Sequence, residues 1–311
     1  MKILVTCPPM IGMIEEFNPL FNKHNFKITT PKVIQTLSED ELIKIVPSHD
    51  GWIIGDDQAT RAVFEAGKRG KLKAAVKWGI GTDNVDFNAC KDLSIPIINT
   101  PGMFGAEVAD VAVGYLIGLA RETFQIHVGV KNGSWPKPRG VSIFGKKVAI
   151  IGLGDIGFNV VKRLSSFGMK ITGYDPKIDN FEFNSFEVDH QIWPNRIEDA
   201  DFIVITCALN DSTRYMINKD IFNQVKKGVR IINVSRGPII HEGDLVEALK
   251  TDIVYSCALD VFETEPLPKD SFLRVHPRSI FGSHNASNTK DAVIKASNDA
   301  INKLKKFLKD G

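Results

Sequence analysis

The chain is poor in the features that mark specialised classes of protein. Only four of its 311 residues are cysteine, Cys7, Cys90, Cys207 and Cys257, and their spacing matches neither a zinc site nor a disulfide framework. Three sit in strand-like apolar segments, so reduced, buried thiols in a cytoplasmic protein without a metal are expected. No apolar run approaches the ~20 residues that span a bilayer. The opening Met1-Lys2-Ile3-Leu4-Val5 reads as a strand and not as the apolar core of a secretion signal, which also argues against a membrane. An excess of one charge is missing as well: 39 basic and 37 acidic residues leave +2, too small and too mixed to imply nucleic acid. Lys303, Lys305, Lys306 and Lys309 read as the wet face of a helix whose apolar side carries Ile301, Leu304 and Leu308. What is left, 43% hydrophobic and 24% charged, is ordinary globular composition, with length enough for two cores.

Residues 148–157, Val-Ala-Ile-Ile-Gly-Leu-Gly-Asp-Ile-Gly, organise the chain. Four apolar residues make a buried strand, and Gly152, Gly154 and Gly157 follow at a spacing with a physical meaning. The first permits a tight turn, the second lets a pyrophosphate approach the backbone, and the third lets helix and strand pack closely. Asp155 and Ile156 open the helix whose N-terminus takes the phosphates. Such a turn alone also occurs in α/β proteins that bind nothing. Here Ile156, Val160, Leu164 and Phe167 give the following helix one apolar face, and the next strand, 170–174, ends in Asp175. An acidic group there accepts from both ribose hydroxyls and repels a 2′-phosphate, which points to NAD and not NADP. The alternative is that Asp175 only caps the turn before Pro176.

The first hundred residues alternate strands (2–6, 26–29, 51–54, 74–77) with helices (38–45, 60–67), and Ser38 with Glu41 forms a capping box. This order predicts a second α/β unit with a parallel sheet. The loop Trp78-Gly79-Ile80-Gly81 follows a strand end, where backbone N–H groups bind carboxylates; a turn with no ligand needs the same glycines. A helix over 106–121 is apolar around nearly its whole circumference. It is expected to be buried on all sides as the crossing between domains, with a share in a subunit interface. In the second half, strands at 202–206, 230–234, 253–260 and 280–281 end in polar residues: Thr206 and Cys207, Val234 and Ser235 before Arg236, Asp260, and His284. Strand ends of such sheets face the ligand.

Arginine, carboxylate and histidine beside an NAD site suggest hydride transfer to a 2-keto acid. Arginine's fork grips a carboxylate, histidine exchanges a proton near neutral pH, and a carboxylate on the other ring nitrogen fixes the tautomer and favours the imidazolium. Arg236, Glu265 and His284 are the candidates, with His241 the main rival for acid/base; the remaining histidines are expected at the surface or in loops. Taken with 79–86, Asn99-Thr100-Pro101-Gly102, the glycine turn with Asp175, Asn233-Val234-Ser235-Arg236-Gly237 and Ala258-Leu259-Asp260-Val261-Phe262 leading to Glu265-Pro266, the chain resembles the D-isomer-specific 2-hydroxyacid dehydrogenases over its whole length.

The resemblance implies an α/β protein with two doubly wound parallel-sheet domains: a Rossmann NAD-binding domain (100–287) inserted in a smaller flavodoxin-like substrate domain (1–99 and 288–311), in a homodimer. It implies that Arg236 orients the substrate, that Glu265 pairs with His284 as acid/base, and that Asp260 holds the nicotinamide carboxamide. The loop Trp78, Gly79, Ile80 and Gly81 would then take the substrate carboxylate, through the backbone of Ile80 and Gly81. Departures are Gly282-Ser283 where the family usually has Thr-Pro before the histidine, Thr206-Cys207-Ala208-Leu209 for His-x-Pro-Leu, and Phe104 where asparagine is common, which suggests a less polar pocket. An NAD-sensing corepressor-like protein without turnover and a phosphite-type dehydrogenase are the alternatives. For a phosphate on the substrate, Lys77 and Arg61 are the candidate binders.

Overall fold

The computed structural model describes residues 1–177 and 185–310, and the chain divides into two compact units. The first comprises Met1–Phe104 and Ser287–Gly311. Its elements run β1 (Lys2–Val5), α1 (Pro8–Ile11), α2 (Ile14–Lys23), β2 (Lys27–Thr29), α3 (Glu39–Ile45), β3 (Gly51–Ile54), α4 (Arg61–Arg69), β4 (Ala74–Lys77), α5 (Phe87–Asp92) and β5 (Ile97–Asn99). The sheet order is β2-β1-β3-β4-β5, all parallel, as in flavodoxin-like sheets. Every residue of β3 and β4 is buried, because helices cover both faces of a parallel sheet. The predicted capping box at Ser38 and Glu41 starts α3. Trp52, Phe64, Leu42 and Val63 form the core of one face.

The second unit spans Gly105–Ala286. It begins with α6 (Gly105–Arg121) and α7 (Thr123–Lys131), then alternates β6 (Lys147–Ile151), α8 (Asp155–Ser166), β7 (Lys170–Tyr174), β8 (Val188–His190), β9 (Phe202–Ile205), α9 (Lys219–Phe222), β10 (Val229–Asn233), α10 (Glu242–Lys250), β11 (Val254–Leu259) and β12 (Ile280–Phe281). Its seven strands are parallel in the order β12-β11-β10-β9-β6-β7-β8. The order reverses at β6, so β6 and β9 flank the switch point outside whose carboxyl ends ligands bind. The chain then returns to the first unit with α11 (Lys290–Asp310), which buries Ile301, Leu304 and Leu308.

Several expectations are corrected. Helix α6 is not buried all round: Ala106, Asp110, Gly114 and Arg121 are exposed, and Arg163 of α8 reaches across to Asp110 at 2.7 Å. Small residues read as apolar in sequence, but they carry little burial drive of their own. On α8, Phe167 is the exposed C-cap, and Gly157, Val160, Val161 and Leu164 are the buried residues. Lys303 is not simply wet; it donates to Asn99 O at 3.0 Å and pairs with Asp299 at 2.7 Å. His49 and His276 are buried, not superficial: His49 Nδ1 sits 2.9 Å from Ile45 O, and His276 Nδ1 sits 2.7 Å from Ser279 Oγ.

Asp57 is fully buried and accepts from Leu37 N at 2.8 Å. Burial outweighs its hydrogen bonds and pushes the carboxyl pKa up. The ionised form therefore costs stability above the ordinary carboxylate range; the cost shrinks once pH falls below the raised folded value and is gone at the ordinary one. Asp57→Asn keeps an oxygen for Leu37 N. It is expected to raise Tm by about 2–4 °C at pH 7, roughly 1 kcal/mol, with the gain shrinking toward pH 4 in a calorimetric scan.

Candidate active site

The glycine turn leaves β6 with Gly152 at φ +92, and a Cβ there would stand 2.4 Å from Cys207 Cα. Gly157 is equally constrained, since its Cβ would lie 2.0 Å from Gly152 O. At Gly154 a Cβ would meet nothing within 4 Å, so this backbone borders open space. Gly154 is the N-cap of α8 and offers no side-chain cap, which leaves the first N–H groups of the helix to an anion. The turn therefore fits a dinucleotide pyrophosphate. Asp155 opens the helix with its carboxylate against Gly105, while Ile156 is half-buried.

Gly157→Ala is expected to abolish NADH binding and lower Tm, because a backbone oxygen cannot move aside as a side chain can. Gly154→Ala is expected to leave Tm unchanged and weaken NADH at least about tenfold, by filling the space a phosphate would enter. Fluorescence titration beside a thermal melt separates the two.

Around this turn, Thr206 Oγ1 donates to Gly152 O at 2.6 Å, and Ser235 Oγ donates to Cys207 O. Burial pushes the Cys207 thiol up to about 12, so it is an inert wall residue. Val234 is buried with its N–H on Ile205 O at 3.4 Å. Asp175 accepts from Leu153 N and Lys177 N, both at 2.9 Å. The turn-capping alternative is thus realised in the structure, and the same carboxylate holds the glycine loop.

Three strand-end loops carry the other candidates. After β10, Arg236 Nη1 donates to Ser235 O at 2.9 Å, and Asn233 Nδ2 donates to Arg236 O at 2.9 Å. Gly237 is needed because a Cβ would lie 1.9 Å from Phe262 C, so this loop lies directly on the one after β11. There Glu265 accepts from Phe262 N at 3.0 Å through Oε1, and its Oε2 lies 2.8 Å from His284 Nδ1. His284 has φ +55 and is held there by its N–H on Asp260 O at 2.7 Å and by Ala286 N on Asp260 Oδ2 at 2.8 Å. Left-handed backbone costs a non-glycine residue energy, so the latch on buried Asp260 is what keeps the histidine in place. His241 lies apart as the exposed N-cap of α10, 3.0 Å from Asp244.

Sequence reasoning missed three supports. Tyr115 of α6 faces Asp260; burial, then the neighbouring carboxylate, raises its pKa. Glu263 Oε1 accepts from Glu242 N at 2.6 Å and Glu242 Oε2 from Glu263 N at 3.4 Å, which fixes the segment leading to Glu265. Thr100 takes the Gly79 N–H at 2.8 Å. Only the contact between loops, not any local pattern, gives these residues away.

The first unit holds the remaining candidates. Gly79 has φ +117, and with its N–H committed to Thr100 it has no donor left. Among the described residues the N–H groups of Ile80 and Gly81 have no acceptor. Trp78 is buried, donates to Ser297 Oγ at 3.1 Å and packs on Phe104 with ring centroids 5.0 Å apart. Phe104 is thus a packing partner of Trp78 within this core. Lys77 and Arg61 are each already engaged by carboxylates, Asp56 at 3.2 Å and Asp92 at 2.7 Å.

A parallel sheet with this strand order, an open glycine turn and an uncapped helix N-terminus together define a dinucleotide-binding α/β protein. Residues 113–286 match the family model described as D-isomer specific 2-hydroxyacid dehydrogenase, NAD binding domain. The chain belongs to the D-isomer specific 2-hydroxyacid dehydrogenase family, and its cofactor is NAD. It is 36% identical to hydroxypyruvate reductase of Thermotoga maritima, over 82% of this chain and 81% of that protein. Identity to D-3-phosphoglycerate dehydrogenase of Methanocaldococcus jannaschii is 34%, over 99% of this chain and 57% of that protein. The chain thus spans little more than half of that longer relative. Apo D-lactate dehydrogenase of Escherichia coli superposes with a TM-score of 0.85 at 26% identity, covering 100% of this chain and 98% of that one.

Proposed function

We propose that this protein interconverts a 2-keto acid and a D-2-hydroxy acid with NAD(H), using Arg236, Glu265 and His284. The observation that carries the reading is the 2.8 Å pairing of His284 Nδ1 with Glu265, on loops latched together through Asp260. The nicotinamide, when bound, supplies or accepts the hydride. Arg236 grips the substrate carboxylate with its planar fork and draws electron density from the adjoining carbonyl. With Nδ1 committed to Glu265, Nε2 of His284 is the atom that gives a proton to the carbonyl oxygen in reduction and takes it back in oxidation. Glu265 stabilises the imidazolium and sets the tautomer.

Gly152, Gly154, Asp155, Ile156 and Gly157 hold the pyrophosphate, Asp175 takes the ribose hydroxyls, and Thr206, Cys207, Val234 and Ser235 line the dinucleotide. Asp260 serves the nicotinamide carboxamide through the loop it anchors. The second unit is the NAD-binding domain and the first the substrate-binding domain, where Ile80 and Gly81 offer N–H groups to a carboxylate. Four free cysteines suit a reducing compartment such as the cytoplasm. The homodimer face is α7, a helix without one buried residue, where Phe124, Val128 and Val130 are exposed beside Trp135. Sedimentation at micromolar concentration is expected to give a dimer.

The decisive test is a panel of 2-keto acids, glyoxylate and hydroxypyruvate included, with NADH and NADPH in parallel. Turnover with NADH is expected. Preference for NADPH would contradict the role given to Asp175, and NADH binding without turnover on any 2-keto acid would leave a sensor.

A further inference from the structure

Within the second unit, the loops that carry Arg236 and Glu265 are joined by a pair of glutamates that lie outside the proton-transfer set. Helix α10 begins at Glu242, and its N-cap, His241, makes no side-chain cap. The first N–H groups of a helix favour an anion. Here the Glu242 N–H donates to Glu263 Oε1 at 2.6 Å, and Glu242 Oε2 in return accepts from Glu263 N at 3.4 Å. Each glutamate thus holds the other's backbone. Glu263 N requires an oxygen of Glu242 and not a charge, and burial, with the Glu263 carboxylate beside it, raises the Glu242 pKa.

The segment gripped in this way touches both candidate loops. A Cβ on Gly237 would stand 1.9 Å from Phe262 C and 2.4 Å from Glu263 N, so the backbone next to Arg236 lies against the chain at 262–263. Phe262 N donates to Glu265 Oε1 at 3.0 Å, and Glu265 Oε2 lies 2.8 Å from His284 Nδ1. Two consecutive N–H groups are therefore given to two carboxyls. Phe262 N holds the residue that orients the histidine, and Glu263 N is tied to the head of α10. Movement of this segment away from α10 would carry Phe262 N, and Glu265 with it, away from the imidazole.

We infer that Glu242 is a positioning residue for 2-keto acid reduction: by clasping Glu263 it fixes the segment from which Glu265 is held against His284. This rests on the reaction proposed above. The experiment measures kcat/KM for glyoxylate reduction with NADH as a function of pH, beside NADH affinity by fluorescence and Tm. Reduction needs the imidazolium, so kcat/KM falls as pH rises through the His284 pKa, and a displaced Glu265 moves that fall to lower pH. Glu242→Ala is expected to lower kcat/KM at least about tenfold and to move the fall down by about half a pH unit or more, while NADH affinity stays within about twofold. Glu242→Gln, which keeps an oxygen for Glu263 N, should recover most of both. In Glu265→Gln the fall already lies at lower pH, and adding Glu242→Ala should move it no further, because both changes act through one contact. If Glu242→Ala does not fold, Glu263→Ala opens the clasp from the other side and should give the same displaced profile. A profile left at the wild-type position in the alanine variants, whatever happens to Tm, reduces the pair to a helix cap and overturns the assignment while leaving the reaction class intact. A further displacement in the double variant overturns it too, since Glu242 would then act other than through Glu265. Absence of wild-type turnover with every 2-keto acid of the panel overturns the reaction class and this inference with it.

Discussion

His284→Ala is expected to lower kcat for 2-keto acid reduction by about 10²–10⁴-fold, the usual worth of a general acid. Folding should survive, since the bonds that latch the loop to Asp260 come from the backbone N–H of residues 284 and 286 and not from the ring. His284→Asn is the informative control, because asparagine tolerates the left-handed φ of +55 at this position. It should keep NADH affinity and lose turnover like alanine. Glu265→Gln should fall between wild type and His284→Ala: glutamine still accepts from Phe262 N, but it brings no negative charge to the imidazolium. His241→Ala should change little, for that ring is tied to Asp244 at 3.0 Å and stands edge-on to Tyr215 at a centroid distance of 5.2 Å. Steady-state kinetics across pH 5–9 separates these variants. Full activity in His284→Ala, or its loss in His241→Ala, would transfer the proton to another group.

What could be foreseen in this chain was what is written locally. Strands β3, β4 and β7 run over 51–54, 74–77 and 170–174 as expected, and Ser38 with Glu41 caps α3. Arg236, Asp260 and His284 could be nominated because strand ends in a parallel sheet face one way, so placement follows once the strands are found. Strand β8 escaped because three residues, Val188 to His190, carry no periodicity to count. Within this chain helix α6 is not covered on all sides; alanine and glycine look like core in a sequence whether or not a neighbour of the same chain covers them.

The engaged state of a charge is the other thing a sequence conceals. Lys77 and Arg61 looked like phosphate binders from their type alone, and only the approach of Asp56 and Asp92 from other segments cancels them. Asp175 caps its own turn at Lys177 N, as its place before Pro176 allows, but it also holds Leu153 N of the glycine loop, a task no spacing rule assigns to it.

The second large effect is expected at Gly282, where the family resemblance leads one to look for threonine. A Cβ at Gly282 would lie 2.0 Å from Asp260 Oδ1 and 2.5 Å from the Tyr115 hydroxyl, well inside any tolerated contact. The volume of the missing side chain is taken first by the Asp260 carboxylate and then by the Tyr115 hydroxyl, which reaches this spot from α6. Glycine on the loop and tyrosine on the helix are therefore one substitution in two parts. Gly282→Thr alone forces Asp260 away from Ala286 N, costs about 1–3 kcal/mol by overpacking, and frees the loop that carries His284. A fall in Tm is expected together with a loss of kcat of at least about tenfold, because small displacements of a proton donor cost orders of magnitude. Gly282→Thr/Tyr115→Leu removes one of the two obstructing groups and should recover part of both losses, and Gly282→Thr/Tyr115→Phe, which removes only the hydroxyl, should recover less. A double-mutant cycle in Tm and kcat reads the coupling directly. Additive effects of the two substitutions would show that the loop and the helix do not share this volume.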